Sequence, residues 1–335
     1  MKHVFIVGSH AQYLSSMGTI QFLKLNYEEV LFIWGRHYKC KYHDNQYNGF
    51  DMSDYYTIYI RNNSRKKTNK IILDIDLFIN DKIVDNFTLY VPHLQSPFVQ
   101  IFATNHQCVD IKFIQEGIID FCSNNDERIF DLLLNYLVLR NKRIWVSSKW
   151  NTTFRLKGKN ISETFAITNV LYRDIDCKHS IIKWPAYRLD LNLNIKYPFF
   201  LFESAVEMKL VEKNLFMNKT RKMIEKYAES DNYIKFHPFQ AIENRKQILG
   251  YFHEIGKKVT ILKDDVPFEL IISSFENLTL YGFSTSLLFL GQLAGHHSTM
   301  FCESLMTSKR FRKYWTNFKE RLNVYGSNKF NYRLI

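Results

Sequence analysis

The chain has 335 residues, and such a length suits two domains of roughly 100 to 200 residues better than one hydrophobic core. Hydrophobic residues make up 46% of the sequence and charged residues 23%, which excludes a disordered or fibrous protein. Lysine and arginine outnumber aspartate and glutamate by 45 to 33. The resulting net charge of +12 indicates an anionic partner: nucleic acid, an acidic membrane surface, or a phosphorylated or carboxylated substrate.

Strand-like and helix-like patterns alternate along the first half of the chain. Amphipathic segments at 19–25 and 126–139 predict helices. A basic polar stretch at 61–67 predicts an exposed loop or hairpin, and the alternation at 71–79 predicts a strand. Short β-branched and aromatic runs predict further strands at 4–7, 30–34, 87–91, 111–114 and 144–147.

A second series of the same kind begins after Pro198. Strand–helix alternation is typical of parallel sheets covered by helices, so we predict an α/β protein. The predicted strands cover residues 199–202, 233–236, 259–262 and 278–281. The predicted helices cover residues 206–228 and 243–255, a short segment from Pro267, a segment after Ser284, and residues 309–323.

This order of elements predicts two Rossmann-like domains. The first would span residues 1–175 and the second 199–335, with a linker at 176–198. Because open parallel sheets bind ligands beyond the carboxyl ends of their strands, we expect a ligand in a central cleft that the two domains face. Residues with useful chemistry should therefore follow predicted strands directly.

An acidic residue follows the strand predicted at 111–114. The sequence there reads Gln115-Glu116-Gly117, which puts the carboxylate of Glu116 at the end of a strand. The glycine would allow a sharp turn or the close approach of a ligand. A carboxylate in such a place can act as a general base. An ordinary solvated loop acid is the alternative interpretation.

A histidine follows the strand predicted at 233–236. The sequence reads Lys235-Phe236-His237-Pro238, and the proline fixes the backbone after the histidine. Histidine titrates near neutrality and can give a proton to a leaving group. A histidine with a purely structural role is the alternative.

Hydroxyl and acidic residues begin two helices of the second half. Ser284 and Thr285 follow the strand predicted at 278–281, where helix N-terminal amides and hydroxyls can seat a phosphate. A plain N-cap is the alternative there. Glu269 lies in the first turn of the helix after Pro267, where it favours the helix dipole or can hold a ribose hydroxyl.

Taken in order, these motifs resemble those of the bacterial GT-B sialyltransferases, which include lipooligosaccharide sialyltransferases and capsular polysialyltransferases. Those families carry an (Asp/Glu)-(Asp/Glu)-Gly motif, a Lys-x-His-Pro motif and a Ser-Ser/Thr motif. The corresponding segments here are Gln115-Glu116-Gly117, Lys235-Phe236-His237-Pro238 and Ser284-Thr285. The resemblance covers residues 87–300, and only the combination of the short motifs is specific.

The resemblance implies an inverting glycosyltransferase that moves sialic acid, or a related nonulosonic acid, from its CMP-activated form to a glycan hydroxyl. The product would be a surface polysaccharide or lipooligosaccharide. An acid of the first motif would deprotonate the acceptor, and His237 would act as general acid or as a hydrogen-bond donor to the phosphate. No catalytic metal or other cofactor is implied. The residues implied in nucleotide or phosphate binding are Lys235, Pro238, Glu269, Ser284 and Thr285.

The sequence departs from that family at the first acidic position. Gln115 occupies the place often assigned to the base, and an amide does not accept the proton usefully. Either Glu116 serves instead, or another acid such as Asp120 does. A pseudaminic or legionaminic acid donor also stays open. By position after predicted strands or in the first motif, the candidates for acceptor contacts are Gln12, His93 and Gln115.

Several other signals carry less weight. Asp74-Ile75-Asp76 imitates a metal-binding Asp-x-Asp motif, but we interpret it as the polar face of a strand. His296 and His297 with Cys302 lack the spacing of a zinc site. The sequence has neither the phosphate-loop motif of nucleoside triphosphatases nor the glycine motif of dinucleotide oxidoreductases.

Basic and aromatic residues alternate in the helix predicted at 309–323. This helix either packs its aromatic residues on the core or lies on the anionic inner leaflet of a membrane near a lipid-linked acceptor. Five scattered cysteines and a short apolar N-terminal run predict a cytoplasmic protein, with peripheral membrane attachment as a second interpretation.

Two other functions stay open. A GT-B enzyme with another nucleotide sugar would share this pattern of elements. Nucleic-acid binding suits the net charge, but aromatic residues such as those at 199–202 occupy apolar strands and are predicted to be core rather than an exposed binding face. We therefore expect a CMP-sugar donor and a glycan or glycolipid acceptor as partners, and no nucleic acid.

Overall fold

A computed structural model describes most of the chain. The described residues are 1–38, 40–41, 43–56, 65–94, 96–117, 143–144, 161–168, 171–172, 175–187, 189, 191–322 and 332–333. They form two compact units. The first contains the described residues up to Trp184 other than Gly117, and the second contains Gly117 and the described residues from Pro185 onward. The helix predicted at 126–139, Asp120 and most of the strand predicted at 144–147 lie outside the described residues.

Among its described residues, the first unit contains a seven-stranded parallel sheet with the order β3-β2-β1-β4-β5-β6-β7. The order reverses between β1 and β4, which makes their carboxyl ends the place where an open sheet binds ligands. The strands are β1 Lys2–Val7, β2 Val30–Trp34, β3 Asn48–Asp51, β4 Phe87–Val91, β5 Cys108–Ile114, β6 Ile161–Ala166 and β7 Lys178–Ile181.

Described helices form the connections from β1 to β2, from β3 to β4 and from β4 to β5. Helix α1 begins after Ser9, whose hydroxyl caps it by accepting a hydrogen bond from the backbone N–H of Gln12. The helices described in this unit are α1 His10–Leu23, α2 Ser53–Tyr56, α3 Arg65–Phe78 with a wider turn at Ile79–Ile83, and α4 Pro97–Ala103. Strands β1, β2 and β4 are almost wholly buried, as expected for a parallel sheet covered on both faces.

The second unit contains a five-stranded parallel sheet with the order β10-β9-β8-β11-β12, which reverses between β8 and β11. Its strands are β8 Phe199–Phe202, β9 Asp231–Phe236, β10 Lys258–Ile261, β11 Thr279–Gly282 and β12 His297–Met300. Its helices are α5 Lys213–Tyr227, α6 Ile242–Glu254, α7 Phe268–Ser274, α8 Ser286–Leu293 and α9 Lys309–Leu322. The predicted α/β class with two Rossmann-like parallel sheets is confirmed.

The strand predicted at 71–79 is wrong, because these residues belong to α3 and the turn that follows it. The buried side chains there recur at helical spacing, whereas Leu73 and Leu77 are exposed. A short apolar run fits the period of a helix and that of a strand, and packing against neighbouring elements selects the helix here. The buried side chains are Thr68, Ile71, Ile72, Ile75 and Ile79. The same helix already includes Arg65, so the basic loop predicted at 61–67 does not extend to residue 67.

Further boundaries differ from the sequence-based expectation: the helix predicted at 19–25 is part of α1, which begins at His10 and ends at Leu23. The helix predicted from residue 206 begins only at Lys213, because the preceding residues form turns in which Lys209 has a left-handed φ of 56°. Strand β7 lies inside the segment predicted as a linker. Strands β3, β6 and β12 were not predicted, and the exposed β3 has only Phe50 as an apolar side chain.

Candidate functional site

In the first unit, Glu116 lies two residues beyond the carboxyl end of β5 and binds two basic side chains. Its Oε1 accepts a hydrogen bond from Nη1 of Arg36 at 2.7 Å, and its Oε2 lies 3.5 Å from Nε2 of His93. Arg36 follows β2 and His93 follows β4, so parallel strands bring all three residues to one edge of the sheet. The predicted acid and one acceptor-side candidate are therefore in contact.

The two basic partners keep Glu116 ionised. Burial by itself raises the pKa of this carboxyl group, but the neighbouring His93 imidazole and the guanidinium of Arg36 outweigh it. The pKa of Glu116 consequently lies below its ordinary value. At neutral pH the group is a carboxylate that can accept a proton.

Gln115 and Gln12 are buried and bound within the protein. The Oε1 of Gln115 accepts a hydrogen bond from the backbone N–H of Ile167 at 2.9 Å, which ties the end of β5 to the end of β6. The Oε1 of Gln12 accepts a hydrogen bond from the backbone N–H of Gly8. Both amides thus fix the backbone beneath Glu116 and at the start of α1.

Gly117 does not show the steric need for glycine that the motif suggests. Its φ is not left-handed, and apart from its chain neighbours no atom of the described residues lies within 4 Å of where its Cβ would be. A left-handed turn is therefore not the reason for glycine at this position, and the close approach of a ligand stays a prediction.

In the second unit, His237 follows β9 directly and is held in one tautomer. Its Nδ1 accepts a hydrogen bond from the backbone N–H of Phe239 at 3.1 Å, so the ring proton must be on Nε2. Burial lowers the pKa of His237, Glu207 opposes that effect and Arg245 adds to it. At neutral pH the exposed ring therefore presents a neutral Nε2–H donor.

Arg245 of α6 holds the turn that carries His237 and Pro238. Its Nη2 donates to the carbonyls of His237 at 2.9 Å and Pro238 at 3.2 Å, and its Nε donates to the carbonyl of Gln240. Asp264 accepts from its Nη1 at 2.9 Å. The sequence motif gave no sign of this arginine, which lies outside the motif, seven positions after Pro238.

Lys235 points its ammonium at the loop that precedes α7. Its Nζ donates to the carbonyls of Lys263 at 2.6 Å and Val266 at 2.7 Å, and the side chain is buried. Burial lowers its pKa. Glu269 follows in the first turn of α7, half-buried, and burial raises its pKa. Lys235 therefore fixes the loop that leads into α7, the helix that contains Glu269.

Ser284 and Thr285 follow β11 and make different contacts. Thr285 is the N-cap of α8, because its Oγ1 accepts a hydrogen bond from the backbone N–H of Leu287. Ser284 donates from both its backbone N–H and its hydroxyl to Oε1 of Glu203, at 3.1 and 3.0 Å. Glu203 was missed, although it follows the predicted strand at 199–202 just as Glu116 follows the predicted strand at 111–114.

No cluster of three or more His, Cys, Asp or Glu side chains suited to a metal ion occurs in the part of the chain that the structure describes. Asp76, from the Asp-x-Asp sequence, instead binds Arg143 and Asn105 through its carboxylate. Over the same residues, none of the helices combines the length and apolar character that crossing a membrane requires. In α9, Phe311 and Trp315 are buried, so these two aromatic residues pack on the core.

Comparisons with known proteins identify the fold. The chain matches no protein-family model and no curated protein sequence. Its structure is similar to the GT-B domain of a sialyltransferase from Photobacterium damselae, with a TM-score of 0.55 and 12% identity over 99% of this chain and 100% of that one. It is also similar to a UDP-GlcNAc 2-epimerase from Methanocaldococcus jannaschii, with a TM-score of 0.52 and 12% identity over 100% and 89%. The protein has a GT-B fold.

Proposed function

We propose that this protein is an inverting glycosyltransferase that moves sialic acid, or a related nonulosonic acid, from a CMP-activated donor to a glycan or glycolipid hydroxyl. The observation that carries the proposal is the array of hydrogen-bond donors after parallel strands of the second unit. The array comprises Nε2–H of His237 and the amide and hydroxyl of Ser284, both of which donate to Glu203 in this structure.

These donors suit a leaving nucleotide. When the glycosidic bond breaks, the phosphodiester becomes a phosphate monoester, and negative charge grows on its oxygens. Donors fixed in advance stabilise that charge more in the transition state than in the ground state. We assign His237 as the donor to the phosphate, since its neutral tautomer presents Nε2–H, and Ser284 as the second phosphate ligand.

The remaining residues of the second unit position the nucleotide. Glu269 accepts from a ribose hydroxyl in this proposal, and Lys235 holds the loop before it through two carbonyls. Thr285 fixes the start of α8, and Pro238 limits the backbone after His237. Donor binding is thus assigned to the second unit and acceptor activation to the first.

Glu116 is the general base of the proposal. Its carboxylate takes the proton of the acceptor hydroxyl while the acceptor oxygen bonds to the anomeric carbon and the bond from that carbon to the phosphate oxygen breaks. Arg36 and His93 hold both carboxylate oxygens, which orients the group but also makes it a weaker base. Asp120 lies outside the described residues and is the other candidate base.

Nucleotide specificity is the first test. CMP should raise the melting temperature more than UMP or GMP, and a reaction with CMP-sialic acid and a panel of glycan acceptors should release CMP. No release from any CMP-nonulosonate, together with no preferential stabilisation by CMP, would contradict the proposal. Stabilisation by UDP or GDP alone would favour another nucleotide sugar, which the similarity to the epimerase fold leaves as the second candidate.

A further inference from the structure

Glu203 lies where the strand order of the second sheet reverses, directly after β8 and beside the end of β11. Its Oε1 accepts both the backbone N–H and the hydroxyl of Ser284. The two strands approach closely because residue 282 is glycine: a Cβ there would lie 2.4 Å from the carbonyl oxygen of Leu201. The Ser284 hydroxyl is therefore already directed at a carboxylate.

The other oxygen of that carboxylate is enclosed without a hydrogen bond. Oε2 of Glu203 is buried and has no partner within the described part of the chain, and no ion pair there includes Glu203. Among the described residues, the Cys302 thiol interacts electrostatically with Glu203 and is kept neutral because burial raises its pKa. Cys302 interacts in turn with Glu303 and Tyr332. Burial raises the pKa of Glu203 to about 7, although the Ser284 hydrogen bonds oppose it.

Glu203 and a bound phosphate would compete for the same donors. The Ser284 hydroxyl has one proton and cannot donate it to both groups. An ionised Glu203 beside a phosphate would also add like-charge repulsion in a poorly hydrated place. A protonated Glu203 removes both conflicts.

We propose that Glu203 is a positioning residue that gains one proton when a phosphate group binds at Ser284, and thereby turns the Ser284 hydroxyl toward that phosphate. The inference rests on the proposed role of Ser284 in donor binding. The proton comes from solvent and adds to a carboxylate oxygen of Glu203. The new O–H donates to Oγ of Ser284, whose own O–H then donates to the phosphate. Release of the nucleotide reverses the step, so one proton accompanies each phosphate.

Calorimetry can count that proton. The probe is CMP methyl ester, a phosphodiester whose charge is constant over the neutral range. Its binding is measured at about pH 8 in two buffers of different ionisation enthalpy. Wild-type protein should take up close to one proton per ligand, and its affinity should fall toward 10-fold per pH unit above neutrality. Glu203→Gln, whose amide can donate to Ser284, should bind with no proton uptake and a flat pH dependence. Glu303→Gln is the matched control and should behave as wild type.

Four outcomes overturn this inference. Binding of the ester without proton uptake, or uptake that persists in Glu203→Gln, contradicts it and leaves the proposed function intact. No binding to wild-type protein contradicts both. A third measurement needs no ligand: carboxyl ¹³C NMR of the unliganded protein should give Glu203 a pKa of about 7, raised further in Ser284→Ala. An ordinary glutamate pKa would also overturn the inference.

Discussion

Arg36 and Glu116 stand 80 positions apart in the chain and form an ion pair with Nη1 and Oε1 2.7 Å apart. Two parallel strands make this contact, because each residue comes shortly after the carboxyl end of its strand. The backbone of Arg36 has a left-handed φ of 55°, a conformation that is uncommon for residues other than glycine. Such local strain is found most often where a side chain must be held for function.

Loss of the Arg36 cation should shift the pH dependence of transfer. Arg36 lowers the pKa of Glu116, so Arg36→Gln raises that pKa, and the acidic limb of kcat/KM should move to higher pH. Arg221→Gln is the control, because this exposed arginine of α5 forms its ion pairs with Glu225 and Glu254 among the described residues and makes none with Glu116. An acidic limb that stays in place would remove Glu116 from the role of base.

Removal of the His237 ring should slow transfer without unfolding the protein. His237→Ala removes the Nε2–H donor, and loss of one such donor slows turnover by about 10²–10³-fold. His237→Gln, whose amide can donate from a similar position, should retain more activity. His297→Ala, at an exposed position of β12, is the control. Wild-type turnover in His237→Ala with an unchanged melting temperature would exclude His237 from the mechanism.

A methyl group at position 282 should destabilise the second unit. The Cβ of Gly282→Ala would lie 2.4 Å from the carbonyl oxygen of Leu201 on the neighbouring strand, so β8 and β11 must separate. We expect a loss of about 1–3 kcal/mol in the free energy of unfolding, measured by denaturant titration. Gly250→Ala is the control: it lies within α6 with open space around it and should gain about 0.5–1 kcal/mol. Equal stabilities of the two variants would contradict this account.

The C-terminal helix should contribute to stability through its aromatic face. Trp315 of α9 is buried and stacks near Phe311 and Phe289, so Trp315→Ala should cost about 3–5 kcal/mol in unfolding experiments. Lys313→Ala, on the exposed face, should change stability by less than about 0.5 kcal/mol. A small effect of Trp315→Ala would mean that the helix does not depend on this packing.

The exposed basic residues of α9 are the candidates for contact with an anionic membrane. Because Phe311 and Trp315 are buried, binding to anionic vesicles should depend on charge alone and disappear as salt rises. Co-sedimentation with vesicles of anionic and neutral lipids measures this. Binding that survives high salt would indicate insertion of apolar groups and would contradict the packing of the helix on the core.

Periodicity and residue type alone determined the positions of most strands. Eight of the twelve described strands lie at or near predicted positions. They are β1, β2, β4, β5 and β8–β11. Buried parallel strands are easy to predict because they are short, apolar and rich in β-branched and aromatic residues. The prediction of a strand at 71–79 was wrong because the apolar positions there fit a strand and a helix equally well. Only packing against neighbouring elements selects the helix.

The sequence alone also placed Glu116, His237 and Ser284 at the ends of strands, since an acid, a histidine or a hydroxyl directly after an apolar run is visible in the chain itself. The partners of those residues were decided by the tertiary structure. Arg36 reaches Glu116 because β2 and β5, two strands apart, end at the same edge of one parallel sheet. Glu203 reaches Ser284 because the neighbouring strands β8 and β11 end side by side. The protonation of each group follows from those contacts and from burial, which are properties of the folded chain rather than of any local motif.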